Sequence, residues 1–355
     1  MSANVQRTVQ TEKKRPWLCF GIAFASIFLI FLIVLFFTTP LLDPLRRSLS
    51  SPLSFPIAEG VLAVSDDRLI CVGENALYVY NEEGVADEYP AAFSAPQFCT
   101  CGDRLLVFDA DGQSVARLSA GQLPSLSAAE GKLFDASVAA SGSYCLLYDT
   151  ADARAVLEVY RDDGSLCFRH RSKTAFLNTC ALSPNAELVA VTALGQRSLE
   201  FESTLCLYRT DSEAAPVTWT TEGLPYDCGF LSDEALFVAS DAGLYLYRAD
   251  GTLLHSMPEA RLLAQGDGTL LAVTDDTVQV LDADGTLLAA ATVDEQPKRG
   301  MLCGEYLALQ FNDSLRVYTR DLIACGQLDG GGDFCLCPDG AAWCVEAMTA
   351  TRYIP

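Results

Sequence analysis

Two histidines and three tryptophans are all that this 355-residue chain contains. The first shortage nearly excludes a polyhistidine metal centre and leaves little material for a histidine-based triad. Basic charge is scarce as well. From Ser48 onward 18 lysines and arginines stand against 44 aspartates and glutamates. Such a surface repels a phosphate backbone, so no nucleic acid is expected as a partner. After Phe37 no apolar face recurs every 3.6 residues over a dozen positions, which excludes amphipathic helices there. No G-x-S-x-G nucleophile elbow occurs. The glycine-rich run Asp329–Phe334 is followed by neither Lys-Ser/Thr nor a helical pattern, so it fails as a phosphate loop and reads as a connection between repeats.

One long apolar run is present. Residues 17–37, WLCFGIAFASIFLIFLIVLFF, carry no charge and at about 1.5 Å per residue would span the roughly 30 Å hydrocarbon core. Arg7, Lys13, Lys14 and Arg15 precede the run and Arg46 and Arg47 follow it. The positive-inside rule therefore predicts a cytoplasmic tail 1–16, a transmembrane signal anchor 17–37 and an extracytoplasmic remainder. The run exceeds a usual signal-peptide core of about 7–15 residues, and no small-x-small cleavage site follows it. Residues 38–55, with Pro40, Pro44 and Pro52, read as a linker, and 56–355 as the folded domain.

That domain repeats itself. YVYNEEG, EVYRDDG, YLYRADG and QVLDADG end at Gly84, Gly164, Gly251 and Gly285, each four residues after Tyr80, Tyr160, Tyr247 or Leu281. Tyr208, Tyr318 and Tyr353 keep the phase without the glycine, and the copy ending at Gly121 is one residue out of phase. A period near 40 fits helical arrays or propeller blades. Local period-two alternation, broken by Asp-Gly and Glu-Gly turns, decides for strands, because glycine accepts positive φ and aspartate bonds its own backbone. The stretch 125–137, SLSAAEGKLFDAS, reads as a loop. Each repeat is then four short antiparallel strands, and blade five reads DCGFLS, ALFVAS, GLYLYR and TLLHSM. Such sheets bury both faces only when arranged radially. The expected fold is an all-β propeller of eight four-stranded blades, with seven as the alternative because the second copy is weak. The last copy has three strands, and LSFPI at 53–57 can supply its fourth, removing an open edge.

In this repeat and in the layout of basic tail, single anchor and external ring, the chain resembles the quinoprotein-like and WD-repeat-like β-propeller superfamily, and within it a family of uncharacterised single-pass proteins from Gram-positive anaerobes. It departs from WD repeats in lacking Gly-His and Trp-Asp dipeptides, and from quinoproteins in having only Trp17, Trp219 and Trp343. The resemblance implies a fold and no cofactor.

No catalytic, cofactor-binding or metal residue is assigned. DADG at 109–112 and at 282–285 reads as turn chemistry, since an EF-hand needs ligands at positions one, three, five and twelve with glycine at six. Asp66-Asp67, Asp162-Asp163 and Asp275-Asp276 also fall at turns, and His170 and His255 read as surface residues. Of 14 cysteines, 13 follow the anchor's Cys19. Cys99/Cys101 and Cys335/Cys337 each lie two apart, on one face of a strand, where CxC suits zinc poorly. Core packing, one or two disulfides from Cys99 or Cys101 to a neighbouring inner strand, and metal binding are the three readings. Two functions follow: a membrane-anchored extracytoplasmic module binding an unknown protein partner, with no enzyme activity and no cofactor; or a small-ligand receptor or enzyme using the central funnel. Converging ionisable groups in the funnel would favour the second. The topology has a direct check. Protease added to intact wall-less cells should digest the large acidic domain, whereas cleavage confined to the first sixteen residues would reverse the orientation.

Overall fold

The computed structural model describes residues 50–355 except 66, 67, 82, 120, 121, 198, 199, 331 and 355. The expected tail and anchor lie outside the described residues, as do 38–49 of the expected linker and the Asp66-Asp67 pair. Among the described residues no helix is long and apolar enough to cross a membrane.

The described chain forms eight four-stranded antiparallel sheets. Seven are meanders in chain order, covering 61–90, 96–128, 133–172, 176–221, 225–258, 261–292 and 299–329 as blades one to seven. The eighth takes Asp333–Leu336, Ala342–Glu346 and Thr349–Ile354 from the C-terminus and its outer strand, Ser50–Pro56, from the start of the described chain. This joint is the one the sequence pattern calls for, with Phe55 opposite Ala350. The strand begins at Ser50, so residues 50–55 belong to the ring and not to a linker. The weak second copy is a complete blade. Its outer strand Ser125–Ala128 and the next inner strand Leu133–Val138 occupy the stretch read as a loop. The serines and glycine there conceal two short strands, the first exposed throughout.

Strand alternation explains why sheets pack on both sides. In blade three, Leu146 and Tyr148 join the core against blade two, while Cys145 and Leu147 join the core against blade four. The middle strands are therefore apolar at nearly every position, and the outer strands are largely exposed.

The repeated segments ending at Gly84, Gly164, Gly251 and Gly285 are the third-to-outer turns of blades one, three, five and six. The amide N–H groups of Gly84, Gly164, Gly251 and Gly285 donate to the carbonyls of Asn81, Arg161, Arg248 and Asp282. Asp163, Asp250 and Asp282 accept from the N–H groups of Ser165, Thr252 and Thr286 at 2.8–2.9 Å. These acids are turn caps. The two DADG segments are not equivalent. Asp282–Gly285 is such a turn, whereas Asp109 ends a second strand and its carboxylate accepts from Ser94 and Ala95 at 2.7 and 2.6 Å.

Beneath these turns the blades dock. An outer-strand side chain packs on a tyrosine at the last or last-but-one position of the next blade's third strand: Phe55 on Tyr80 (5.5 Å between rings), Phe168 on Tyr208 (5.4 Å) and Trp219 on Tyr247 (5.6 Å). Any side chain at Gly84 or Gly251, with φ of 76° and 90°, would strike Phe55 or meet Trp219. Blade seven has lost the glycine, yet Leu322 holds φ at 60°. The preceding outer strand offers only Ala289 there, so the leucine fills the space an aromatic ring occupies elsewhere. His255 takes the same docking position against Gly285, and His170 packs on Tyr208 at 4.9 Å. Both histidines are half-buried between blades rather than ordinary surface residues.

Phe55 also touches Trp343 at 5.2 Å and is buried in the closing core with Leu62, Leu69 and Cys335. Phe55→Ala should therefore lower unfolding stability by about 3–5 kcal/mol, read from denaturant midpoints. The exposed Leu253, truncated to alanine, should stay within about 0.5 kcal/mol of the parent.

Candidate interaction site at the inner rim and hairpin face

The innermost strand of each blade has a free edge, and side chains of the preceding blade cap several of these edges. The ladder of Phe176–Leu182 shifts register between Leu177 and Cys180, a bulge that releases amide groups. Asp135, on the inner strand of blade three, accepts the Cys180 N–H at 2.6 Å and its neighbour Ala136 N–H at 2.9 Å. Ser137 accepts from Leu182 at 3.2 Å. In the next joint Asn178 donates to the Pro225 carbonyl at 2.6 Å, and in the next Tyr226 accepts from Leu262 at 3.3 Å. Met301 receives the Leu336 N–H at 3.3 Å.

The CxC pairs occupy these rim positions. Cys99 and Cys101 both face blade three, their sulfurs near the backbone of Val138 and Ala140. Cys335 and Cys337 are both buried against blade one. The rim is crowded, and thiols are small enough to fit. No disulfide joins the 13 cysteines among the described residues, and none of the described His, Cys, Asp and Glu side chains forms a group of three suited to hold a metal ion.

Two carboxylates here escaped the sequence reading. Asp135 and Asp227 are the third residues of inner strands Leu133–Val138 and Pro225–Phe230. Both are half-buried, and burial drives their protonation equilibria up, to about 7 and about 6. Hydrogen bonds from Cys180 to Asp135 and from Cys228 to Asp227 oppose that rise. Convergent shifted acids are the feature that favours a ligand or enzyme site, but the partners limit their chemistry. Both oxygens of Asp135 accept backbone N–H groups. Burial raises the thiols of Cys99, Cys180 and Cys228 well above the usual range, so each stays protonated and can act as a nucleophile only where a neighbouring group takes its proton. The histidines lie on outer strands Leu166–Ser172 and Leu253–Pro258, away from this rim.

The face above the rim is different in kind. The second and third strands of blade four, Leu188–Arg197 and Glu200–Arg209, are ten residues each. Their pairing continues to Arg197 and Glu200, while the inner strand stops at Leu194 and the outer at Ser203. The paired segments 195–197 and 200–202 thus extend past the neighbouring strands at the end of the ring where inner strands begin. Phe176, Leu224 and Tyr226, 56%, 47% and 48% exposed, start the inner strands of blades four and five at that same end. The Arg154 guanidinium lies 4.6 Å from the Phe176 ring centre. Ser203 donates to the Gly223 carbonyl at 2.6 Å, and Asp241 accepts the Leu224 N–H at 2.6 Å, so the hairpin base and the apolar corner are held to the frame. Rigid exposed aromatic groups beside a projecting edge are suited to contact another macromolecule.

A family model described as "Family of unknown function (DUF5711)" matches residues 55–321. The chain belongs to that family. No curated protein matches it. Among solved structures the ring is similar to BamB from Moraxella catarrhalis (12% identity, TM-score 0.54, 86% of this chain and 100% of that one). It is also similar to the C-terminal WD40 domain of Sif2 (12%, 0.59, 87% and 99%) and to Chaetomium thermophilum Sqt1, solved bound to the N-terminus of ribosomal protein L10 (13%, 0.55, 88% and 100%). At such identities the likeness shows the β-propeller fold.

The shifted acids predict a pH dependence. A carboxylate raised on folding stabilises the fold fully below its ordinary range near 3.8 and loses that contribution as pH rises through the folded value. The melting temperature should fall between about pH 4 and pH 7 and level off above, and the Asp135→Asn/Asp227→Asn double variant should flatten the slope. An unchanged slope in the double variant would contradict the assignment. The Asp294 carboxyl, held low by Arg316 at 3.0 Å, acts in the opposite sense and only at more acidic pH.

Proposed function

We propose that the chain is a membrane-tethered, extracytoplasmic protein-interaction module, its ring presenting the hairpin face to a protein partner. The observation that carries the reading is the extension of paired strands 195–197 and 200–202 past the sheet edge, at the same end as exposed Phe176, Leu224 and Tyr226. The propeller fold supports it, since Sqt1 was solved holding a protein N-terminus. The anchor reading rests on the apolar run 17–37 and its basic flank, and the net charge of the ring supports a partner with basic character.

The funnel reading, a small-ligand receptor or enzyme, has Asp135 and Asp227 in its favour. A photo-crosslinking residue at position 176 or 226 should capture one discrete partner in the native membrane. Replacing 195–202 by a two-residue turn should abolish that product while leaving the melting temperature within a few degrees. An equal product from a crosslinker at the outer-strand position 288 would show that the face is not selective.

A further inference from the structure

We infer that Cys145 and Cys180 form an internal redox dithiol joining blades three and four, with Asp135 as the proton acceptor that lets it react. Among the described cysteines these two have their sulfurs in direct contact, at 3.6 Å, Cys145 on the second strand of blade three and Cys180 on the inner strand of blade four. They share one buried core with Leu147 and Leu177. Asp135 touches both the backbone N–H and the side chain of Cys180. An enclosed thiol cannot react without somewhere to put its proton, and a carboxylate held near neutrality by burial is matched to that task. The other ionisable groups around the pair are Cys99, Cys228 and Asp227. Two are thiols that burial keeps protonated, and the third is the second raised acid, so no cation competes for Asp135. The inference does not depend on the interaction reading above.

The oxidant is a low-molecular-weight disulfide reaching the rim. Cys180 gives its proton to Asp135, and the thiolate attacks one sulfur of that disulfide, breaking its S–S bond. The departing thiolate takes the proton from Asp135. Cys145, 3.6 Å away, then attacks the Cys180 sulfur and expels the second small thiolate, which takes up the proton that Cys145 loses. Two protein thiols are oxidised and one external disulfide is reduced to two thiols. The product is a bond between neighbouring blades, closing a loop of 35 residues.

The test uses the full chain in detergent micelles with oxidised glutathione, followed by alkylation, denaturation and peptide mapping. The expected product is a peptide pair linked through Cys145 and Cys180, lighter by two hydrogens than the separate thiol peptides. Cys145→Ala, or Cys145→Ser where alanine impairs folding, should stop at a glutathione adduct on Cys180. Asp135→Asn should slow linkage about tenfold or more and remove its rise through neutral pH. Recovery of both cysteines as free thiols, protected until denaturation, would overturn the dithiol. Linkage in Asp135→Asn at the parent's rate and pH profile would overturn the role of the carboxylate.

Discussion

The contact on which the ring depends is the docking of one blade's outer strand against the end of the next blade's third strand. Phe55 on Tyr80, Phe168 on Tyr208 and Trp219 on Tyr247 are one contact made at different joints. It couples three requirements that look unrelated along the chain. The third strand must end in a large side chain, the turn above must leave room, and the previous outer strand must supply the filler. Blade seven shows the coupling by exception: where the filler shrinks to Ala289, the turn carries Leu322 instead of glycine and keeps its left-handed backbone. A four-stranded sheet with two apolar faces cannot bury both of them alone, so these joints bring eight such sheets into one body.

The inner rim answers the opposite need. There the strands converge and expose edges, and small polar side chains close them. Asp135, Ser137 and Asn178 reach forward to the next blade's backbone, and the cysteine pairs sit in comparable positions. The thiols that suggested metal or disulfide chemistry in sequence are first of all a packing solution for a crowded centre. Reactivity, where it exists, comes from the neighbour that accepts a proton.

Much of this was legible before any coordinates. Tyr80, Tyr208 and Tyr247 fall near the ends of third strands, where rings of the preceding outer strands dock on them, and the three-stranded last copy points to a closing strand near Leu53–Ile57. The second blade reads weakly in sequence because Ser125–Ala128 is short, exposed and carries no docking side chain; the turn it would fill against, at Gly164, stands open. Asp135 and Asp227 were illegible because an isolated acid in a short apolar strand resembles many turn acids. Only blade-by-blade alignment shows that each is the third residue of an inner strand. The hairpin of blade four was hidden for a similar reason: strand length past a sheet edge depends on where the neighbours stop.

The central claim is that a strand from the start of the domain closes a single cooperative ring. Native-state hydrogen exchange reads it most directly. Amides of Thr349–Ile354, flanked by Ala342–Glu346 and by Ser50–Pro56, should open only with the same free energy as the middle strands of blades four and five. Exchange of that strand through a low-energy opening, with the other blades still protected, would mean that the joint is peripheral and the ring does not close there.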